Sequence, residues 1–344
     1  MCYNKIERKK VYEAGVYMVD ISKPHNNLFL KTMESEEAVR EFLELNLPEK
    51  IIEKFKMETL RNTGNSYVTD ELKELFSDIV YKVDFMDGET GYVSCLLEHK
   101  SSPERKTVFQ LHKYMTRIWD KELKNNDKGI LPVIVPILFY HGDTDWRAPR
   151  KLSGLMEGNI EWAENIIPDF EYYLYTFSDL VDKIPYMTVP KLKIYIKALR
   201  VPRSKTPEEF FKRFTEFWKE TNEYVKKTGE EVILRYSYRY IVITTDRELA
   251  SGEEIEKKAK EITPERSDFV DTIAQDYIER GREEGEKEGI IMTLTRQLEN
   301  ILETEIPEEI KQKMEEKSRD KLIEIGANII EINSIKDLRN ELEK

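Results

Sequence analysis

The clearest pattern of apolar and polar positions lies between residues 76 and 102, where two alternating runs flank a turn. Each run would present one apolar face, formed by Ile79, Tyr81, Val83 and Phe85 in the first and by Val93, Cys95 and Leu97 in the second. Asp87 and Gly88 lie between the runs, and both residue types tolerate the positive φ angles of hairpin turns. The pattern therefore predicts a β-hairpin.

Pairing the two apolar faces predicts a register for this hairpin. Residue 79 would lie opposite 97, 81 opposite 95 and 83 opposite 93, with a three-residue loop at 87–89. A two-residue loop would shift the pairing by one residue and set each apolar row against a more polar one. The predicted register places Asp78 directly across from Glu98, with Lys100 one pleat further along the same face.

Two carboxylates this close repel each other unless a cation lies between them. Oxygen ligands of this kind suit Mg²⁺ or Mn²⁺, and a neighbouring lysine can orient a water on the metal. Two simpler interpretations stay open. Asp78 could be a solvent-facing acid at the start of a strand, and Glu98 and Lys100 could form a surface ion pair of little energetic value.

The segments around the hairpin predict helices and one buried strand. Ser35 is a suitable N-cap for a helix that ends before Pro48, and a short helix is expected at 49–56. After the hairpin, Ser102 and Pro103 predict a helix start. The nearly continuous apolar run at 131–140 is typical of a strand that is covered on both faces.

The helix that follows the hairpin has two distinct faces. Its core side would consist of Val108, Leu111, Met115 and Ile118. A second face, here called the basic stripe, carries Lys106, Gln110, Lys113, Arg117 and Lys121. The stripe is either a solvated helix face or a surface that contacts the phosphates of DNA through its four cationic residues.

The order of these motifs resembles a known family. Asp78 followed by Glu98-His99-Lys100 matches the D…(D/E)xK signature of PD-(D/E)xK nucleases. The surrounding sequence is similar to that of the Rpn family of recombination-promoting nucleases. The similar motifs are LPEK at 47–50, SDIVYKV at 77–83, LLEHKSSPER at 96–105, KYM at 113–115, LPVIVPILFYHG at 131–142 and Trp146. The resemblance covers roughly residues 22–150, with a weaker likeness near 281–289. E-x-K alone is a weak signal, whereas the ordered set of phrases is specific.

The resemblance implies a fold and a reaction. The fold would be α/β, with a restriction-endonuclease-like αβββαβ core of mixed sheet flanked by helices, followed by a mostly α-helical C-terminal region. The reaction would be metal-dependent hydrolysis of DNA phosphodiester bonds, associated with recombination or transposition. The alternative is a catalytically silent DNA-binding or assembly protein of mobile-element origin.

The resemblance also assigns roles to individual residues. Asp78 and Glu98 would hold one or two Mg²⁺ (or Mn²⁺) ions, and the backbone carbonyl of His99 would complete the metal shell. Lys100 would position the attacking water, and Gln110 would reach the site from the next helix. One departure is that Rpn sequences usually carry His-Asp where this chain has His25-Asn26, which removes a candidate carboxylate.

Charge and composition narrow the class of protein. Among 344 residues, 35% are charged and the formal net charge is −12, which argues against a protein that coats nucleic acid generally. A nuclease remains compatible, because its basic contacts can be local. The 2 cysteines form no disulfide framework, and the absence of a long apolar run predicts a cytoplasmic protein without a membrane segment.

After about residue 150, long helical patterns dominate the sequence. We expect an N-terminal segment at 1–21, a nuclease-like domain at 22–150 and a mostly helical region at 151–344. A further strand is predicted at 170–177, and helices at 186–200, 207–227, 231–249, 252–262 and 268–303. Within the last helix Gly281, Gly285 and Gly289 recur every four residues, which indicates either a groove for a homodimer contact or a partly frayed charged helix.

The histidines carry no metal-site pattern. Their spacing, together with that of the 2 cysteines, does not match a zinc site. His25 and His141 are interpreted as polar loop residues, and His112 as a packing residue.

Overall fold

A computed structural model describes residues 24–63, 79–88, 90–98, 103–125, 129–158 and 160–343 of the chain. The chain divides into two compact units, Met1–Glu265 and Arg266–Lys344. In the described part of the chain, no helix is long and apolar enough to cross a membrane.

The first unit is an α/β structure. Its elements begin with the helices α1 (Pro24–Met33), α2 (Glu36–Asn46) and α3 (Glu49–Ile52), followed by the strands β1 (Phe55–Asn62), β2 (Ile79–Phe85) and β3 (Thr90–Glu98). Helix α4 (Thr107–Asn125) leads to β4 (Ile134–Tyr140) and then to β5 (Tyr173–Thr176). The remaining helices of this unit are α5 (Phe177–Val181), α6 (Pro190–Arg200), α7 (Pro207–Thr228), α8 (Glu231–Thr244) and α9 (Gly252–Ile262).

The five strands form one mixed sheet in the order β1-β2-β3-β4-β5. The pairs β1–β2 and β2–β3 are antiparallel, whereas β3–β4 and β4–β5 are parallel. Parallel neighbours need a crossover connection, and α4 supplies it between β3 and β4. Strand β4 is buried along its whole length, which confirms the prediction from its apolar run.

The predicted register of the hairpin is wrong. Ile79 pairs with Cys95 and Tyr81 with Val93, so β3 lies two residues away from the predicted position. The connection between the strands is longer than three residues, because Asp84 already pairs with Thr90. Gly88 adopts φ +93° in the turn, as its residue type allows. A shift of two residues keeps every side chain on its face, so the alternation itself is preserved.

Two element boundaries differ from the predictions, and one helix was not predicted. The helix expected at 49–56 ends at Ile52, because Phe55 enters the sheet opposite Phe85 with the two rings stacked 5.5 Å apart. Helix α4 begins at Thr107 instead of Pro103, since the Thr107 hydroxyl donates to the Glu104 carbonyl at 2.8 Å in a preceding turn. Helix α1 was not predicted at all. The N-cap at Ser35 is confirmed, with its side chain accepting from the amide of Ala38.

Helix α4 packs along the sheet in a defined direction. Val108 and Leu111 in its amino half belong to the same apolar cluster as Leu138, near the carboxyl end of β4. Met115 and Ile118 in its carboxyl half belong to the cluster that contains Ile134 at the start of β4. All four predicted core residues of α4 are buried, and its amino end therefore lies at the carboxyl edge of β4.

The helices after β5 are joined to α2 through buried polar contacts. Glu41 of α2 is only 8% exposed, and its carboxylate accepts from the Thr188 hydroxyl at 2.7 Å and from the Val189 amide at 3.0 Å. Val189 is the N-cap of α6, so a negative charge lies at the positive end of this helix. Lys183 donates to the Leu45 carbonyl at 2.6 Å, at the last turn of the same α2 helix.

These contacts bear on the predicted domain boundary. The structural division follows Glu265, whereas the sequence change predicted a boundary after residue 150. The two differ because β5 completes the sheet and helices α6 and α8 pack against α1, which belongs to the first part of the chain.

The second unit is helical and has its own apolar core. It consists of the 36-residue helix α10 (Ser267–Leu302) and the shorter helices α11 (Glu308–Glu316), α12 (Arg319–Ala327) and α13 (Ile335–Glu343). Leu294 and Leu298 of α10 lie in this core. A Cβ atom added at Gly285 or Gly289 would meet no atom within 4 Å. The homodimer contact through this helix stays a prediction.

The carboxylate of Glu41 is expected to contribute strongly to stability. Replacing it with alanine removes the acceptor at the start of α6 and leaves the partly buried amides of Thr188 and Val189 without this partner, at a cost of about 1–3 kcal/mol. The variant Glu41→Gln keeps one acceptor oxygen and should lose less. The measurement is the free energy of unfolding from denaturant titration.

Glu44→Ala is the matched control for this prediction, because Glu44 lies on the same helix and is exposed. It should change the free energy of unfolding by less than about 0.5 kcal/mol. Equal losses for the Glu41 and Glu44 variants would contradict the helix-capping account.

Candidate functional site

The carboxyl edge of the parallel strands brings together residues that lie far apart in sequence. Glu98 is the last residue of β3 and pairs with Tyr140, the last residue of β4. His141 and Asp143 follow directly after β4. Ligand and catalytic groups commonly lie at the carboxyl ends of strands in such sheets. This edge is therefore the candidate site.

Within the predicted Asp78…Glu98-His99-Lys100 motif, the structure describes the backbone of Glu98. Asp78, His99 and Lys100 lie outside the described residues, as does the side chain of Glu98. The structure sets Cys95 opposite Ile79, where the prediction had Leu97. Glu98 therefore lies three residues beyond the position opposite Ile79, instead of one residue beyond it. The direct opposition of Asp78 and Glu98 was inferred from that incorrect register.

Gln110 lies in the first turn of α4, at the same edge of the sheet. It is half-buried, and its Nε2 atom lies 3.5 Å from a carboxylate oxygen of Glu104. Its Oε1 atom is buried and accepts no hydrogen bond within the described part of the chain. A buried carbonyl oxygen without a donor is costly, and a bound water or ligand would satisfy it.

The basic stripe divides into exposed and engaged residues. Lys106 and Lys113 are exposed and form no ion pair with a described residue. Arg117 and Lys121 are half-buried and take part in interactions within the protein. The amino half of the stripe is therefore its more available part.

Two histidines that were interpreted as loop residues form a stacked pair instead. His25 lies in α1, and its ring stacks on that of His141 with centroids 4.3 Å apart and an interplanar angle of 13°. His141 is only 4% exposed. Tyr240 of α8 meets the His25 ring edge-on at 4.7 Å. The loop interpretation is thus wrong for His25, which lies in a helix, and confirmed for His141, whose ring is nevertheless buried by tertiary packing.

Arg203, between α6 and α7, fixes the segment that follows β4. Its guanidinium donates to the His141 carbonyl at 2.6 Å, to the Asp143 carboxylate at 3.0 Å and to the Tyr240 hydroxyl at 3.2 Å. A further donor reaches the Leu199 carbonyl at 2.8 Å. The planar fork of arginine suits such divergent contacts better than a lysine ammonium would.

The charges around Arg203 influence one another. Burial alone would lower the pKa of Arg203, but Tyr240 and Asp143 raise it above its ordinary value, so the guanidinium remains charged. Burial raises the pKa of Tyr240, partly offset by Arg203. Burial, together with Tyr240, raises the pKa of the fully buried Tyr195 well above its usual range. Both phenols therefore remain protonated and neutral near pH 7.

Sequence reasoning missed Arg203 and two of its partners, Asp143 and Tyr240. An arginine between two helices carries no motif, and its contact with His141 spans 62 positions of the chain. His112 does pack as predicted, with its ring 6.0 Å from that of Phe170.

The described residues hold no group of three or more His, Cys, Asp or Glu side chains placed around a common point. The backbone position of Glu98 and the unsatisfied Oε1 atom of Gln110 are compatible with a hard cation, which prefers oxygen ligands.

Comparisons with known proteins identify the class of this chain. The profile of the family described as "Putative transposase, YhgA-like" matches residues 23–228, which is more than half of the chain. The chain therefore belongs to this YhgA-like transposase family. No solved structure matches it.

Among individual relatives in Escherichia coli strain K-12, the "Inactive recombination-promoting nuclease-like protein RpnE" is 38% identical over 125 residues, 36% of this chain and 40% of the relative. The "Recombination-promoting nuclease RpnC" is 35% identical over 121 residues, 35% of this chain and 39% of the relative. "Recombination-promoting nuclease RpnA" is also 35% identical, over 35% of this chain and 41% of the relative. The chain thus spans less than half the length of these curated relatives, and the predicted resemblance to the Rpn family is confirmed.

Arg203→Lys tests the polar cluster. The variant keeps the positive charge but cannot maintain every hydrogen bond of the guanidinium, so we expect a loss of about 1–3 kcal/mol in the free energy of unfolding. Denaturant titration is the measurement. Arg247→Lys, at an exposed position without a hydrogen bond to a described residue, is the control and should change stability by less than about 0.5 kcal/mol. A neutral Arg203→Lys variant would show that these contacts are dispensable.

Proposed function

We propose that this chain is a metal-dependent endonuclease that hydrolyses phosphodiester bonds of DNA in recombination or transposition. The observation that carries the proposal is the position of Glu98 at the carboxyl edge of parallel strands, beneath the amino end of α4. The arrangement of α2, β1 to β3, α4 and β4 supports the αβββαβ core of PD-(D/E)xK nucleases. The names of RpnC and RpnA as recombination-promoting nucleases also support it.

In the proposed site, Asp78, Glu98 and the carbonyl of His99 hold one or two Mg²⁺ or Mn²⁺ ions. Such a bound ion neutralises the phosphate and lowers the pKa of a coordinated water. Lys100 orients the attacking water and stabilises the negative charge that develops on the phosphate. Gln110 accepts a hydrogen bond from a water at the site through Oε1, which explains why this atom finds no donor among the described residues.

A second candidate is a catalytically silent DNA-binding or assembly protein that keeps the fold. Asn26 favours it, because an amide stands where the family usually carries a carboxylate. The name of RpnE, an inactive nuclease-like protein, also favours it. The retained set Asp78, Glu98 and Lys100 favours an active enzyme.

Nicking of supercoiled plasmid DNA by the full chain distinguishes these two functions. We expect cleavage with Mg²⁺ and none with EDTA. The variants Asp78→Ala and Lys100→Ala should abolish cleavage while the circular dichroism spectrum stays unchanged. Without metal, Asp78→Ala should be at least as stable as wild type, because mutual repulsion of carboxylates is relieved.

Asp87→Ala is the control for this experiment, since it removes an acid from the turn of the same hairpin, far along the strands from Glu98. It should cleave like wild type. An active, purified Asp78→Ala protein would refute the proposed mechanism, and a wild-type protein that binds DNA without cleaving it would favour the silent alternative.

The basic stripe makes a separate prediction about DNA binding. Charge reversal of Lys113 and Arg117 to glutamate should weaken binding to all DNA sequences alike, because phosphate contacts carry little base information. The slope of log affinity against log salt concentration should also become shallower. Fluorescence anisotropy at several salt concentrations measures both effects. An unchanged slope would assign the stripe to a solvated helix face.

A further inference from the structure

The side chain of Phe109 is an exposed aromatic group beside the basic stripe. It lies in the first turns of α4 and is 47% exposed, whereas its neighbour Val108 is fully buried in the core. Single exposed apolar residues are common on protein surfaces and need no special explanation. The charges around Phe109 make this residue different.

Lys106 and Lys113 flank Phe109, about one helical turn before and one turn after it. Both lysines are exposed, and neither forms an ion pair with a described residue. Further along the helix Asp120 interrupts the positive surface. The combination of an aromatic ring with available cations is thus confined to the amino half of α4.

The amino half of α4 is also the half nearest the candidate site. Leu111, two residues after Phe109, shares an apolar cluster with Leu138, which pairs with Leu96 in the last part of β3. Gln110, with its unsatisfied Oε1 atom, is the next residue after Phe109. A strand of DNA that reached Glu98 could therefore extend along this part of α4.

We propose that Phe109 stacks on an unpaired base of the DNA substrate while Lys106 and Lys113 contact the adjacent phosphates. This inference rests on the proposed function and specifies its substrate class as DNA with single-stranded character. Aromatic stacking combined with backbone-tracking cations is the general physical basis of single-strand binding.

An intact duplex does not offer Phe109 the same contact. The outside of a duplex presents phosphates and sugars, which favour lysine and arginine over an aromatic ring. The π-face of a base becomes accessible where the base is unstacked, as in a single strand, a bulge or a junction. The affinity contributed by Phe109 should therefore depend on unpaired bases, whereas that of Lys113 should not.

The test compares binding of the full chain to three fluorescent oligonucleotides in EDTA, which prevents cleavage. The oligonucleotides are a single strand, a perfect duplex and the same duplex with one bulged base. Phe109→Ala should weaken binding to the single strand and the bulged duplex about tenfold or more, with less than about a twofold change for the perfect duplex. Lys113→Ala should weaken binding to all three.

Two further variants separate stacking from general apolar contact. Phe109→Tyr keeps an aromatic ring and should retain wild-type affinity, whereas Phe109→Leu keeps apolar surface and should behave like Phe109→Ala. Thermal unfolding of each variant checks the fold, which should tolerate these changes because the side chain is exposed.

Three results would overturn the proposal. Phe109→Ala could bind all three oligonucleotides like wild type. It could also weaken binding to the perfect duplex as much as binding to the single strand. It could also change the sedimentation coefficient of the protein alone, which would make Phe109 part of a protein–protein contact. Plasmid cleavage is scored in parallel. Cleavage that continues while Phe109→Ala binds normally refutes only the stacking role, and a wild-type protein that neither binds nor cleaves DNA refutes the proposed function as well.

Discussion

The parallel pairing of β3 with β4 is the constraint on which the first unit depends. The register runs from Tyr92 and Ile134 to Glu98 and Tyr140, and β4 is buried on both faces. A parallel pair requires a long crossover, which places α4 across the sheet with its amino end at the carboxyl edge. This arrangement determines which residues can lie near Glu98. Those residues come from elements that are far apart in the sequence.

Side chains from α1, from α8 and from the connection between α6 and α7 also stabilise this edge of the sheet. Arg203 donates to the His141 carbonyl and to Asp143, while the His25 ring stacks on that of His141 and Tyr240 meets the His25 ring edge-on. Buried polar groups of this kind are favourable only when their hydrogen bonds are made, so the cluster ties the position of the segment after β4 to the packing of α1, α6 and α8. The family profile extends to residue 228, which includes Arg203.

How much of the fold and of the candidate site the sequence predicts differs from one element to the next. Alternation identified the hairpin and its faces, but a shift of two residues leaves those faces unchanged, so the pattern could not determine the register. The αβββαβ core implied a strand before the hairpin, but no residues were assigned to it, because a bulge between Lys56 and Arg61 breaks the alternation of β1. Helix α1 begins with polar residues typical of turns and depends on packing against α8. The role of Arg203 could not be predicted, because its hydrogen-bond partners His141, Asp143 and Tyr240 lie far from it in the sequence. The family phrases pointed to Glu98, and its place at the edge follows from the parallel pair.

The most direct test of a metal centre at this edge is a crystal structure of the full chain soaked with Mn²⁺, with anomalous diffraction used to locate the ion. The account predicts an anomalous peak at the carboxyl end of β3, within coordination distance of a carboxylate oxygen of Glu98. That distance should be about 2.0–2.6 Å, as for other hard cations on oxygen ligands. A peak elsewhere in the protein, or Mn²⁺ absent from this edge at millimolar concentration, would contradict the account.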